Sequence, residues 1–226
     1  MGACADDAQA MAQDLPFVQR VLAADEAWAW IDGTVPADFT ASGTEDAILQ
    51  LYTSGTTGHP KGVELCNRNL FGLRRAAQQA GLPWASWGDG EVVMVAMPCA
   101  HIGGTGLGFM ALAGGVSGCV MAEFTPDGVF DAITHEGVTR FFAVPAALQM
   151  LVNHPRCATT DFSRLKYIFY GAAPIPLELL RQCVKAFGCQ FLQAYGMTET
   201  TGTVVTLPPE DHDPNGSPRM RAAGKP

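Results

Sequence analysis

The sequence predicts an α/β fold of mostly parallel sheets covered by helices, and two observations carry that expectation. Apolar runs (ILQLYT, VVMVAM, RFFAV, LKYIFY and CQFLQA) alternate with segments whose apolar residues recur at helical spacing. The runs are continuous rather than alternating, as expected of strands buried on both faces in a parallel sheet. In addition, three loops of small or polar residues, 53–62, 171–174 and 195–202, each follow one of these runs. Open α/β sheets collect ligands at that end of their strands.

The first strand is expected at Ile48–Thr53, running into the first loop. Asn67 then caps a helix carrying Leu70, Phe71, Leu73 and Ala77, which stops near Gly81. Val92–Met97 is the next strand. Between Glu91 and Glu123 no formally charged residue occurs, a span long enough to cross a bilayer. Pro98, His101 and the many glycines argue instead for a buried strand, a glycine-rich turn and a tightly packed helix. Thr125-Pro126-Asp127 starts a helix with Val129, Phe130 and Ile133 on one face, ended by Gly137. Arg140–Val144 reads as a strand, Pro145–Asn153 as a helix and Leu165–Tyr170 as a strand. A helix with Leu179, Leu180, Cys183, Val184 and Phe187 stops at Gly188, and Cys189–Ala194 is the last strand.

Composition excludes several function classes. The chain has 226 residues, 48% hydrophobic and 16% charged, enough to bury a substantial core. Its formal net charge of −8 argues against nucleic acid or an anionic membrane as partner. Seven scattered cysteines, odd in number and without a CxxC, point to reduced thiols in a cytoplasmic protein. Cys99 and His101 lack a second pair that would make a zinc site. The acidic N-terminus has no basic region followed by an apolar stretch, so no secretory signal is expected.

The loop after the first strand, TSGTTGHPKG at 53–62, is hydroxylated, glycine, proline or lysine everywhere except His59. It fails the Walker A pattern, because Lys61 is followed by Gly62 and Pro60 stands where the second glycine belongs. Gly103, Gly104, Gly106 and Gly108 likewise miss the GxGxxG spacing. Converging backbone N–H groups, hydroxyls and a lysine suit an anion. By composition alone, a mobile surface loop is an equal alternative.

The order of the residues adds to this. TSGTTGHPKGVEL resembles the phosphate-binding signature of the adenylate-forming enzymes, which include acyl-CoA synthetases, aryl-CoA ligases, luciferases and peptide-synthetase adenylation domains. MPCAHIGG (97–104) resembles that family's segment beside the acyl pocket, YGAAPIP (170–176) its adenine-flanking loop, and QAYGMTETTG (193–202) its Tyr-Gly-x-Thr-Glu element. The final AAGKP resembles the start of a further motif, with alanine at its first glycine.

The resemblance implies a partial N-terminal domain of such an enzyme, with ATP and Mg²⁺ as cofactors and coenzyme A as co-substrate. Thr53, Ser54, Gly55, Thr56, Thr57, Gly58 and Lys61 would wrap the β- and γ-phosphates. Gly171, Ala172, Ala173 and Pro174 would let adenine lie against backbone, with Tyr195 stacked on its other face and Gly196 and Met197 alongside. Thr198 would bond the α-phosphate, where charge develops as the carboxylate attacks. Glu199 would ligate Mg²⁺, a hard cation that prefers oxygen. His101 would orient the carboxylate, with Ala100 in place of the family's usual aromatic. No cysteine has a catalytic role.

The substrate implied is a carboxylic acid, activated as an acyl-adenylate and passed to the thiol. No Asp or Glu lies between Glu91 and Glu123 to pair an amino group. The glycines and apolar surroundings suit a fatty acid, as in the medium- and long-chain acyl-CoA synthetases; an aryl acid is the alternative. Residues 47–226 are expected to be the AMP-binding core and 1–46 the end of a preceding subdomain or linker. Trp28, Trp30 and Ile31 are expected in a packed segment. The family's ribose-binding Thr-Gly-Asp motif and its C-terminal domain with the catalytic lysine are not in this sequence. A truncated nucleotide-binding module without complete turnover is therefore the alternative of a different class.

Overall fold

All five apolar runs form strands in the computed structural model, which describes residues 3–35, 42–55 and 58–225. The chain divides into two compact units, residues 1–41 and 42–226. The first holds two helices, Ala3–Gln13 (α1) and Ala24–Asp32 (α2). Trp28, Trp30 and Ile31 on α2 are exposed rather than packed.

In the second unit the strands do not all enter one sheet. Ala47–Thr53 (β1) pairs antiparallel with Lys61–Cys66 (β2), so the first strand belongs to a separate hairpin and not to the parallel sheet. Hairpin geometry explains the turn residues between them: Gly55 and Gly58 have φ of 65° and 83°, in the left-handed region open to glycine. The remaining runs build a six-stranded sheet from Val92–Val95 (β3), Ser117–Val120 (β4), Arg140–Ala143 (β5), Tyr167–Gly171 (β6), Gln190–Tyr195 (β7) and Val205–Leu207 (β8). The order is β4-β3-β5-β6-β7-β8, parallel throughout except that β8 runs antiparallel to β7. Chain direction across the sheet reverses between β3 and β5, the kind of crevice where doubly wound sheets bind ligands.

The helices follow their sequence signals closely. Pro126–Asp131 (α5) starts where Thr125 Oγ1 accepts a bond from the Gly128 amide at 3.1 Å, and after a π turn it stops at Gly137 with φ of 66°. Pro145–Asn153 (α6) has the expected bounds, and Leu177–Phe187 (α7) ends at left-handed Gly188. Asn67–Gln79 (α3) differs at its start. Cys66 occupies the cap position, its amide bonded to Asn69 Oδ1 at 3.1 Å, while Asn67 donates to Gly43 O.

The uncharged stretch resolves into β3, the thirteen-residue helix Ile102–Gly114 (α4) and β4. Among the described residues no helix is long and apolar enough to cross a membrane. Gly104 serves close packing: a Cβ there would strike the carbonyls of Met97 and Pro98.

The sheet's two faces do different work. Phe141, Ile168 and Phe191 lie in register on one face and are buried against Leu148 and Leu151 of α6 and Leu180 and Phe187 of α7. Each such burial contributes about 1.5–3 kcal/mol, so this face holds the unit together. Phe142, Phe169 and Leu192, one residue on, form a second row on the opposite face. Phe142 and Phe169 in that row are only partly covered, and α3 and α4 stand over it with a space between.

Candidate active site

That space is a cavity of about 630 Å³, floored by Phe142, Phe169 and Leu192 and walled by Ile102 and Leu107 of α4. His101, at the N-cap of α4, lines it, as does Thr198. A second cavity of about 310 Å³ lies across Gly171, Ala172, Ala173 and Pro174 on one side and Tyr195 and Gly196 on the other. The two cavities share Ala172, Ala194 and Gly196 as lining. The parting wall therefore carries no side chain larger than a methyl group.

Close backbone packing builds this wall. Gly171 ends β6 so near Ala194 that a Cβ would overlap the Ala194 carbonyl oxygen. The next residue, Ala172, is held at φ of 66°, unusual for a residue with a side chain. Gly196 lies equally close to the Gly202 carbonyl, and Thr201 between them is left-handed at φ of 61°. Strained positions of this kind persist where the surroundings over-determine them, and here both border the cavities.

The hairpin reaches the same place from outside the sheet. Thr53 Oγ1 lies 3.5 Å from Glu199 Oε1, joining the end of β1 to the turn at Thr198–Thr200. Lys61 is the register partner of Thr53 across the hairpin and is exposed, as are Ser54 and Gly58. Thr56 and Thr57 lie outside the described residues. Tyr195 and Met197 are exposed, and Tyr195 borders the smaller cavity. Gly171 through Pro174, Tyr195, Gly196 and Thr198 thus lie together, with Glu199 and Thr53 beside them.

Sequence reasoning missed part of the lining. Trp84, Trp87 and Arg74 border the larger cavity, and Gln193 and Arg221 the smaller one. Gln193 lies within the Tyr-Gly-x-Thr-Glu segment and could have been marked; Trp84 sits in a single 3-10 turn, Pro83–Ala85, and Trp87 in the loop after it, with no signal of their own. Among the described residues no cysteine borders either cavity, and burial pushes the thiols of Cys183 and Cys189 up to about 12.

Behind the smaller cavity, the Tyr170 hydroxyl is 3.1 Å from Gln193 Oε1 and 3.0 Å from His212 Nε2. His212 Nδ1 lies 2.9 Å from Pro208 O, so a neutral imidazole carries its proton on Nδ1 and donates there, leaving Nε2 beside the Tyr170 hydroxyl, whose one proton goes to Gln193 Oε1. Burial holds the His212 pKa below 6.5. The unfolded chain therefore binds this proton more readily, and stability falls as pH drops below about 6.5. Melting at about pH 7.5 and about pH 5.5 checks this. A His212→Gln variant should lose less stability over that interval than the wild type; an equal loss would exclude the assignment.

A family model described as AMP-binding enzyme matches residues 5–226. The chain is 40% identical over 179 residues to the fatty acid–[acyl-carrier-protein] ligase ScoC of Streptomyces coeruleorubidus, covering 79% of this chain and 34% of that protein. It superposes on the N-terminal domain of FACL13 from Mycobacterium tuberculosis with a TM-score of 0.71 at 28% identity, covering 83% of this chain and 46% of that one. It also superposes on the O-succinylbenzoate coenzyme A synthetase MenE from Bacillus subtilis, in complex with ATP and magnesium ion, with a TM-score of 0.66. Identity there is 28%, over 80% of this chain and 37% of the synthetase. The chain spans about a third of the length of its curated relative.

Proposed function

This chain belongs to the AMP-binding enzyme family, and from that premise we propose that it forms the adenylation site of an acid–thiol ligase. A fatty acid carboxylate attacks the α-phosphorus of ATP, pyrophosphate leaves, and the acyl-adenylate passes its acyl group to a thiol such as that of coenzyme A. The single observation that carries this reading is the paired cavities. A large, mostly apolar one and a small one walled by backbone meet at Ala172, Ala194 and Gly196. An acyl chain and an adenine ring, placed one in each, would bring carboxylate and phosphate together beside Thr198.

The chain's own residues then supply position and charge, which is most of what phosphoryl and adenylyl transfer require. Thr53, Ser54, Gly55, Thr56, Thr57, Gly58 and Lys61 would take the leaving phosphates, and Thr198 the α-phosphate. The donor set also fits Mg²⁺. Glu199 presents one carboxylate beside the Thr53 hydroxyl. Among the described residues no cluster of three or more His, Cys, Asp or Glu could hold a metal alone. A cation held by Glu199 would complete its shell with phosphate oxygens and water, as Mg²⁺ usually does. His101, at the mouth of α4, would orient the carboxylate. The unpaired thiols among the described cysteines support a cytoplasmic location.

An aryl acid is the second reading, favoured by the four aromatic side chains lining the larger cavity: Trp84, Trp87, Phe142 and Phe169. ATP–pyrophosphate exchange with fatty, aryl and amino acids separates these. Exchange with fatty acids is expected; exchange with amino acids alone would overturn the reading, and exchange with aryl acids alone would favour the second. Glu199→Gln should weaken Mg²⁺-dependent ATP binding by about tenfold or more. Titrating ATP with and without Mg²⁺ tests this, and an unaltered metal dependence would remove Glu199 from the metal site.

A further inference from the structure

The charges around Trp87 do not balance. Trp87 borders the cavity, and two guanidinium groups lie over its ring: Arg74 at 4.7 Å and Arg140 at 5.0 Å from the centroid. Arg140 is almost fully buried and paired with Glu91, whose other oxygen takes Lys166 Nζ at 2.8 Å. One buried carboxylate therefore serves two cations. Arg74 has no carboxylate partner among the described residues. Its Nη1 donates to Met110 O at 2.7 Å, and its Nε is buried without a hydrogen-bond partner. The local charge is positive in a chain whose net charge is −8.

Position gives this excess a use. Arg74 itself lines the cavity, and its anchor Met110 lies about 12 Å further along α4 than Ile102, at about 1.5 Å of rise per residue. His101 and Thr198 mark the near end, so Arg74 stands well down the length of the cavity. An arginine facing apolar walls is costly unless its charge is met, and a carboxylate meets it with paired, charge-assisted bonds.

We propose that Arg74 receives the second carboxylate of a dicarboxylic acid whose first carboxylate is activated beside Thr198. This rests on reading the larger cavity as the acyl pocket, and narrows the substrate from a plain fatty acid to an α,ω-dicarboxylate. The two ends of the substrate are then distinguished by what meets them: a nucleotide phosphate at one, a fixed guanidinium at the other.

Equilibrium dialysis of the chain with radiolabelled decanoate, decanedioate and the decanedioate monomethyl ester tests the proposal. Decanedioate should bind about tenfold more tightly than either of the others, the worth of one charge-assisted pair. Arg74→Met should erase that preference, whereas Arg75→Met, an exposed neighbour, should keep it. Decanoate binding as tightly as decanedioate to the wild type would overturn the dicarboxylate assignment while leaving the acyl pocket intact. A preference that survives in Arg74→Met would overturn it as well. Binding of none of the three by a cooperatively melting wild-type sample would overturn the acyl-pocket reading, and this inference with it.

Discussion

Replacing Glu91 with alanine is expected to cost about 3–5 kcal/mol of unfolding free energy. The carboxylate is buried and holds Arg140, itself 1% exposed, and Lys166 as well. Without it the Arg140 guanidinium stays buried, with only the carbonyls of Trp84 and Ser86 as acceptors. Urea unfolding measures the loss. The exposed pair Arg68–Glu45 supplies the contrast, since Glu45→Ala should cost less than about 1 kcal/mol. The double variant Glu91→Ala, Arg140→Leu should be more stable than Glu91→Ala alone, because it removes the stranded charge. Equal losses for Glu91→Ala and Glu45→Ala would show that Arg140 finds other partners.

Gly196→Ala should lower ATP affinity by about a hundredfold while costing only about 1–3 kcal/mol of stability. The added methyl would sit inside the contact distance of the Gly202 carbonyl, and a backbone atom cannot swing aside as a side chain can. The turn that would have to yield is closed by the Gly202 amide on Met197 O at 2.9 Å and the Val204 amide on Tyr195 O at 2.9 Å. Its displacement moves both cavity walls together, so nucleotide binding suffers more than folding. Gly118→Ala, on strand β4 with nothing within 4 Å of the new Cβ, serves as the control and should leave ATP binding unchanged. Gly196→Ala with normal ATP affinity would mean that the turn is not part of the nucleotide site.

The parallel sheet was legible because its central strands carry apolar side chains on both faces, one packed in the core and one lining the cavity, and so read as unbroken apolar runs. Helix α6 was legible to its bounds because Pro145 fixes its first turn. Strand β2 was not, since Lys61–Cys66 continues a small-residue loop and only Leu65 is fully buried. Strand β4 is an edge strand, mostly exposed, with too little apolar content to register as a run. The placement of β1 failed for a related reason: a sequence pattern reports burial and not the partner, and the hairpin supplies a partner that the pattern does not name. The loops at 171–174 and 195–202 follow β6 and β7, which are adjacent strands, so their meeting follows from strand order. That Thr53 reaches Glu199 depends on the docking of a separate hairpin, which no local pattern encodes. The charge cluster around Trp87 was invisible because its members come from α3, β5 and the loops before β3 and β6.

The wall of Ala172, Ala194 and Gly196 has an evolutionary consequence. Its atoms are backbone and methyl groups, so there is little for selection to exchange and almost nothing to shrink. The lining beyond it, by contrast, comes from the large side chains of Trp84, Trp87, Phe142 and Phe169, any of which can be recut without moving the wall. If the larger cavity is the acyl pocket proposed above, a lineage built on this chain can therefore change which acid it accepts in single steps. The wall between the two cavities stays fixed throughout.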